Sequence, residues 1–251
     1  MRIEIVTLFP GMVEAYLAGG VVGRAVGREV LEVGTEDPRR HAVDVHRTVD
    51  DRPYGGGPGM VMAPGPLAAA IRAARARVAT GSTVLALGPA GRRFDQREAE
   101  RLAALPGLVL VAGRYEGIDQ RVLEALVDEE LSLGDYVLSG GELPALVVLD
   151  AVARLLPGVL GDAASAGQDS FGDGLLDWPH YTRPVEWEGY RVPDVLQGGD
   201  HAAIERWRLK QSLGRTWQRR PDLVRARGLN REERRLLLEF CAEAGIVPPD
   251  G

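Results

Sequence analysis

Strand-like runs alternating with helical runs of about ten to fifteen residues constrain the fold of this chain more than any other feature. Arg2–Leu8 alternates apolar residues and stops at Phe9-Pro10. Met12–Leu17 and Val21–Val26 read as short helices and Val30–Thr35 as a second strand. Pro66–Val78 is an Ala/Arg-rich helix, Thr83–Leu87 a strand, and Asp95–Ala104 a helix with Asp95 placed to cap it. Leu108–Ala112 reads as a strand, Ile118–Leu126 as a helix and Glu129–Leu133 as a short strand. Leu143–Leu156 is a strongly apolar helix closed by Pro157-Gly158. Strands spaced this widely are joined by helical crossovers, so the expected class is α/β with a mostly parallel sheet.

Two stretches break the rhythm. Between Thr35 and Pro66, the run from His46 to Tyr54 followed by Gly55-Gly56-Gly57-Pro58-Gly59 is too polar and glycine-rich to pack as a core element. Long loops of that kind inside compact domains carry function. Gly158–Pro184 is rich in Gly, Ala, Ser and Asp, and beyond it Ala202–Leu213 and Arg231–Ala244 read as helices. The organisation expected is a first domain over 1–160, a flexible interdomain linker over 161–184 and a small helical C-terminal domain over 185–251.

Three glycine-bearing loops follow three of the expected strands: Leu87 to Gly91, Ala112 to Asp119, and Leu133 to Glu142. In open α/β sheets ligands bind beyond the carboxyl ends of the strands, and glycine lets backbone approach them closely. Each loop alone reads as an ordinary βα turn; the three together point to one small-molecule site walled largely by backbone. No Gly-Lys-Ser/Thr follows any of them, and none has the dinucleotide spacing.

The formal net charge of −6 argues against a polyanion partner until its distribution is considered. From His201 to Arg235 eleven basic residues face four acidic ones, leaving +7, whereas residues 1–200 carry 19 basic and 29 acidic residues. A basic module on an acidic body is the footprint of localised nucleic-acid binding, and equally of a solvated Arg-rich helix pair. Cys241 is the only cysteine, which excludes an internal disulfide and fits a reducing, cytoplasmic setting. His41, His46, His180 and His201 are scattered without Cys/His ligand spacing, so no structural zinc is expected. No apolar run approaches a membrane span, and Met1–Phe9, short and holding Glu4, is not a signal peptide. By residue type alone the chain is an α/β cofactor-binding enzyme with a basic helical appendage, acting on RNA.

Five strings are more specific: R-T-V-D-D-R-P-Y-G-G-G-P-G-M, G-R-Y-E-G-I-D, G-D-Y-V-L-S-G-G-E-L-P, D-S-F-G-D-G-L-L-D-W-P-H-Y-T-R-P and R-W-R-L-K-Q-S-L-G-R-T. Together they resemble the bacterial tRNA (guanine-N1)-methyltransferases of the knotted SPOUT superfamily, from the first strand to about Leu223. Gly88 and Ala90 stand where that family usually has serine and glutamine, and Gln168 where an acid often precedes the aspartate. The resemblance implies a SPOUT-type parallel sheet with a deep trefoil knot. It further implies a homodimer with sites shared between subunits, and a requirement for Mg²⁺. S-adenosylmethionine would be held by Leu87, Pro89, Gly113, Tyr115, Leu133, Gly134, Asp135, Tyr136, Val137, Leu138, Gly140, Gly141 and Pro144.

Guanine N1 carries a proton at neutral pH, so its methylation needs a base, a partner for the charge developing on O6 and in-line positioning. By residue type, Asp169, Asp173 and Asp177 are turn formers or helix caps, and Arg154 is an arginine near a helix C-terminus. The resemblance implies Asp169 as base, Arg154 as the O6 partner, and Glu116 as a supporting acid with a possible part in metal binding. It places Asp50, Arg52, Gly59 and Ser165 around the target base and implies phosphate contacts for Arg208, Lys210, Arg215, Arg219 and Arg220. A ribose 2′-O-methyltransferase on the same fold and a catalytically silent RNA-binding protein are the competing expectations.

Overall fold

The computed structural model describes residues 1–161 and 169–249. The chain divides into two compact units, residues 1–163 and 164–251. In the first, strands β1 (Arg2–Val6), β2 (Glu32–Glu36), β5 (Thr83–Arg93), β6 (Gly107–Ala112) and β7 (Glu129–Ser132) form one sheet in the order β2-β1-β6-β5-β7. Every pairing in it is parallel. Strand β6, reading GLVLVA, is buried at every residue, as a central strand covered on both faces must be. The α/β class with a parallel sheet, expected from the alternation of elements, is the class observed.

Side-chain alternation along the strands divides the core into two layers. Ile3, Ile5, Leu85, Leu108, Leu110 and Leu131 point to one face, against helices α1 (Pro10–Leu17), α2 (Gly20–Gly27) and α6 (Glu142–Leu155) and against Leu102 of α4 (Gln96–Ala103). Val6, Val84, Val109 and Val111 point to the other, against α3 (Pro64–Arg75) and Val122 of α5 (Gln120–Leu126). The helix starts follow local chemistry. Proline opens α1 and α3, where no N–H partner is lost, and Asp95 and Asp119 cap α4 and α5 by accepting from Glu98 N and Arg121 N.

The fifth strand departs from the expected Thr83–Leu87. It pairs with β7 through Leu87, loops out at 88–91, and resumes pairing at Arg92 and Arg93. The first glycine loop is therefore an insertion within a strand and not a strand-to-helix turn. Gly91 makes the return possible, because a Cβ there would lie 2.5 Å from the Glu130 carbonyl carbon. The polar 46–62 stretch contains a short antiparallel pair, β3 (Asp50–Asp51) with β4 (Val61–Met62).

The second unit is built on α7 (His201–Arg219), α8 (Pro221–Arg227) and α9 (Arg231–Ala244), with a small hairpin of β8 (Glu186–Trp187) and β9 (Tyr190–Arg191). Leu175, Leu213, Val224, Leu236, Leu237 and Cys241 form its core. Asp200 caps α7, which runs beyond the Leu213 expected from sequence, and Asn230 with Glu233 forms a capping box on α9. The stretch just before these helices is tied to them. Thr216 Oγ1 accepts from Leu176 N at 2.8 Å, and Arg215 Nη1 and Arg227 Nε donate to the carbonyls of Asp177 and Asp173. Among the described residues no helix is long and apolar enough to cross a membrane.

Candidate functional site

Around the loop inserted in β5 and at the carboxyl ends of β6 and β7, the three glycine loops line a cavity of about 370 Å³, the size expected of a small-molecule site. Leu87 and Pro89 from the first loop, Gly113 and Tyr115 from the second, and Leu133, Gly134, Tyr136, Val137, Leu138, Gly140 and Gly141 from the third all line it, with Pro144 from α6. Asp135 is exposed and outside that lining. The charged residues of the lining are Glu116, Glu130 and Arg114, and the rest is mainly apolar residues and glycine.

Close backbone approach sets the shape. Gly141 N donates to Gly113 O at 2.8 Å, and a Cβ on Gly141 would lie 2.7 Å from the Ala112 Cα. The third loop thus rests directly on the second. Gly134 takes φ of +150° beside the Tyr136 ring, a conformation that an L side chain rarely adopts. Tyr115 takes a positive φ of 61° without being glycine, the kind of strain that collects at binding sites.

Beneath this contact lies an ion pair that reading by residue type did not single out. Arg114 Nε donates to Glu142 Oε2 at 2.8 Å, and Arg114 Nη1 donates to Ser139 O at 3.1 Å. Glu142, 1% exposed, accepts on its other oxygen from Thr7 Oγ1 at 2.9 Å. The guanidinium also lies 4.4 Å from the centroid of the Phe9 ring. One side chain therefore joins the end of β1, the second loop, the third loop and the start of α6. The available sequence signal was a carboxylate opening an otherwise apolar helix; its partner, 28 residues away, could not be paired with it by spacing.

The 46–62 segment is fastened to the second loop. Glu116 N donates to Met60 O at 2.8 Å and Met62 N to Gly117 O at 2.9 Å. Gly59, at φ +79°, lies so close to the Glu116 side chain that a Cβ would overlap it. The Tyr115 hydroxyl has its pKa raised, first by burial and then by the neighbouring Asp50 carboxylate. Asp50 and Gly59 thus stand beside Tyr115 and Glu116, while Arg52 is exposed, its backbone N–H donating to the Asp51 side chain. Ser165 and Gln168 lie outside the described residues.

Arg154 sits half-buried in the last turn of α6, outside the cavity lining; at 1.5 Å per residue it is about 15 Å along the helix from Pro144. Asp169 belongs to the second unit and is half-buried, its carbonyl accepting from Gly172 N. Asp173 and Asp177 serve local turns: Asp173 accepts from Leu175 N, and Asp177 from Trp178 N and the His180 ring. The basic residues expected to meet RNA have unequal surroundings. Lys210 pairs with Glu243 at 2.8 Å, Arg220 with Asp222 at 2.7 Å, and Arg215 is spent on the Asp177 carbonyl. Arg219 is exposed, and Arg208 stacks on Trp178.

The family model described as tRNA (Guanine-1)-methyltransferase TrmD matches residues 1–226. A tRNA (guanine-N(1)-)-methyltransferase of Methylococcus capsulatus is 60% identical over 243 residues, 97% of each chain. Proteins with the same name from Chromohalobacter salexigens and Nitrosococcus oceani are 59% and 60% identical, each over 97% of this chain and covering 93% and 96% of the relative. A match of this length, on a chain whose glycine loops line one cavity, leaves one assignment: the chain belongs to the tRNA (Guanine-1)-methyltransferase TrmD family.

Proposed function

We propose that this protein transfers a methyl group from S-adenosylmethionine to N1 of the guanosine immediately 3′ of a tRNA anticodon, and that this modification maintains the reading frame. The observation that carries the reading is the cavity walled by all three glycine loops, beside β5 and at the ends of β6 and β7, in a chain of this family. When bound there, S-adenosylmethionine supplies an electrophilic methyl on a sulfonium. The backbone and apolar walls suit its adenine and ribose, and Glu116 and Glu130 suit its positive charges.

Asp169 takes the N1 proton in this mechanism and Arg154 offsets the charge developing on O6, while Asp50, Arg52, Gly59 and Ser165 seat the base. In support, Asp50 and Gly59 adjoin Tyr115 and Glu116 at the cavity wall. Exposed Arg219, together with Arg208, Lys210, Arg215 and Arg220, orients the tRNA through its phosphates. Among the described residues no three His, Cys, Asp or Glu side chains converge on a metal site. Mg²⁺ needs only one or two carboxylates plus water and substrate oxygens, and Glu116 fits that sparser role, where the ion would add positive charge near the reacting groups.

The homodimeric reading rests on α6. Leu143 and Val147, 53% and 47% exposed, share one helix face, and Arg154, eleven residues beyond Leu143, returns to it after three turns. A second subunit covering that apolar stripe would also cover Arg154, which lies about 15 Å along the helix from the cavity-lining Pro144 of its own chain. The trefoil knot belongs to the same reading, supported by the third loop lying across Ala112 and Gly113.

The deciding experiment is a methyl-transfer assay on tRNA transcripts differing only at the guanosine 3′ of the anticodon, with the product nucleoside identified. N1-methylguanosine is expected from the guanosine transcript alone. Methylation that survives replacement of that guanosine, or a 2′-O-methylated product, overturns the assignment.

A further inference from the structure

The second unit holds an aromatic cluster around Arg208, none of whose residues lines the cavity. The Arg208 guanidinium lies 4.8 Å from the centroid of the Trp178 ring, Trp178 is 5.7 Å from His180, and Tyr181 is 6.4 Å from Trp207. The two groups of contacts are linked along the chain, since His180 adjoins Tyr181 and Trp207 adjoins Arg208 in sequence. Tyr181 is 49% exposed and His180 is exposed, so aromatic faces are open to solvent.

Arg208 is the anomaly. Its Nε is buried, and among the described residues no protein atom accepts from it. The cations around it on α7 are answered from within the unit: Arg206 by Glu239 at 2.9 Å, Lys210 by Glu243 at 2.8 Å, Arg215 by the Asp177 carbonyl. Burying a donor without an acceptor is unfavourable, and native folds hold such groups where something else completes them. The missing partner is an acceptor, in a segment that carries eleven basic residues against four acidic ones. An acidic peptide would answer the guanidinium and leave the rings unused. An unpaired nucleotide answers both, with phosphate or base-edge oxygens for the arginine and a flat π face for the rings.

We propose that Trp178, His180, Tyr181, Trp207 and Arg208 form a binding site for one unpaired nucleotide of the RNA substrate, its base stacked on the exposed rings and an oxygen acceptor held by Arg208. The site rests on the tRNA reading above and refines it: Arg208 works as a stacked anchor, in contrast to the surface phosphate contact of Arg219.

The test uses the full-length chain and an unmodified tRNA transcript carrying the target guanosine. Tyr181→Ala and Arg208→Lys are each expected to weaken transcript binding about 5- to 100-fold, the range of one lost base stack. Arg208→Lys keeps the charge, so the slope of affinity against salt stays that of the wild type while affinity falls. Calorimetric affinity for S-adenosylmethionine stays unchanged in both. Thermal midpoints check folding, and Tyr181→Ala, at an exposed ring, carries the test if Arg208→Lys is unstable. Variants that bind the transcript as tightly as the wild type overturn the nucleotide site. A wild-type chain that methylates no transcript brings down the wider reading instead, so the two failures are distinguishable.

Discussion

At the scale of single residues, chemistry in this protein depends on where a charge is held more than on its type. Arg114 and Arg154 flank the same helix, α6. Arg114 is committed to Glu142, Ser139 and the Phe9 ring and so shapes the cavity wall, whereas Arg154 lies near the far end, on the face of Leu143 and Val147. The three acids that precede the C-terminal helices divide in the same way: Asp173 and Asp177 accept from the backbone of their own turns, the behaviour their type predicts. For Asp169→Asn and Arg154→Ala we expect single-turnover methylation to fall by roughly 10²-fold or more with saturating tRNA and S-adenosylmethionine. Rates near the wild type in either variant would remove that residue from the chemistry.

Among the elements, α6 and the strand β5 determine the site. Helix α6 buries Ala145, Val148, Leu149 and Val152 against the sheet, and its first residue, Glu142, anchors the second and third loops through Arg114. Removing one partner of a buried ion pair leaves the other uncompensated, so Glu142→Ala is expected to cost about 3–5 kcal/mol. Glu142→Gln, which still accepts hydrogen bonds, should cost less. Urea unfolding gives the stability, and calorimetry should show weaker S-adenosylmethionine binding at temperatures where the variant remains folded. An unchanged midpoint in Glu142→Ala would show that the pair does not hold the loops. In β5, the insertion at 88–91 is closed by renewed pairing at Arg92 and Arg93, and Arg92 is fixed by Glu98 and Glu129. The sequence cue for that strand ended at Leu87 because the apolar run stops there, although pairing with β7 resumes at Arg92.

Over the whole molecule, both units hold carboxylates whose ionised form stabilises the fold. Burial works against ionisation of Glu36, yet hydrogen bonds from Arg77 and His41 outweigh it and lower its pKa below the ordinary 4.5. In the other unit the Arg227 hydrogen bond lowers Glu233 below the same value. A pKa lowered on folding gives stability that is complete above the unfolded value and is lost as pH falls through the folded one. Thermal midpoints should therefore hold near neutrality and drop below about pH 4, with a shallower acid slope in Glu36→Gln. A slope identical to the wild type's would show that Glu36 contributes nothing to acid sensitivity. The assembly is tested separately. If the dimer proposed above forms through α6, Val147→Asp gives monomers in sedimentation and loses methylation while staying folded; a dimer in the variant would place the interface elsewhere, and a monomeric wild type would overturn the dimer.

Local information determined much of this protein. Strand and helix alternation was enough for the α/β class with a parallel sheet, because side-chain period and crossover length are properties of short segments. Cap residues such as Asp95, and the second and third glycine loops following β6 and β7, were legible for the same reason; the first loop proved to lie within β5. The family resemblance carried the residues expected to hold the cofactor, all but Asp135 of which line one cavity. Tertiary structure alone decided that Arg114 pairs with Glu142, that Asp50 lies beside Tyr115, and which basic residues of α7 are already neutralised. It alone left a buried Arg208 donor against a ring of aromatics. Those outcomes are set by residues 28 or more positions apart, or by acids on a neighbouring helix, and sequence spacing carries no distance between groups that meet only when the chain has folded.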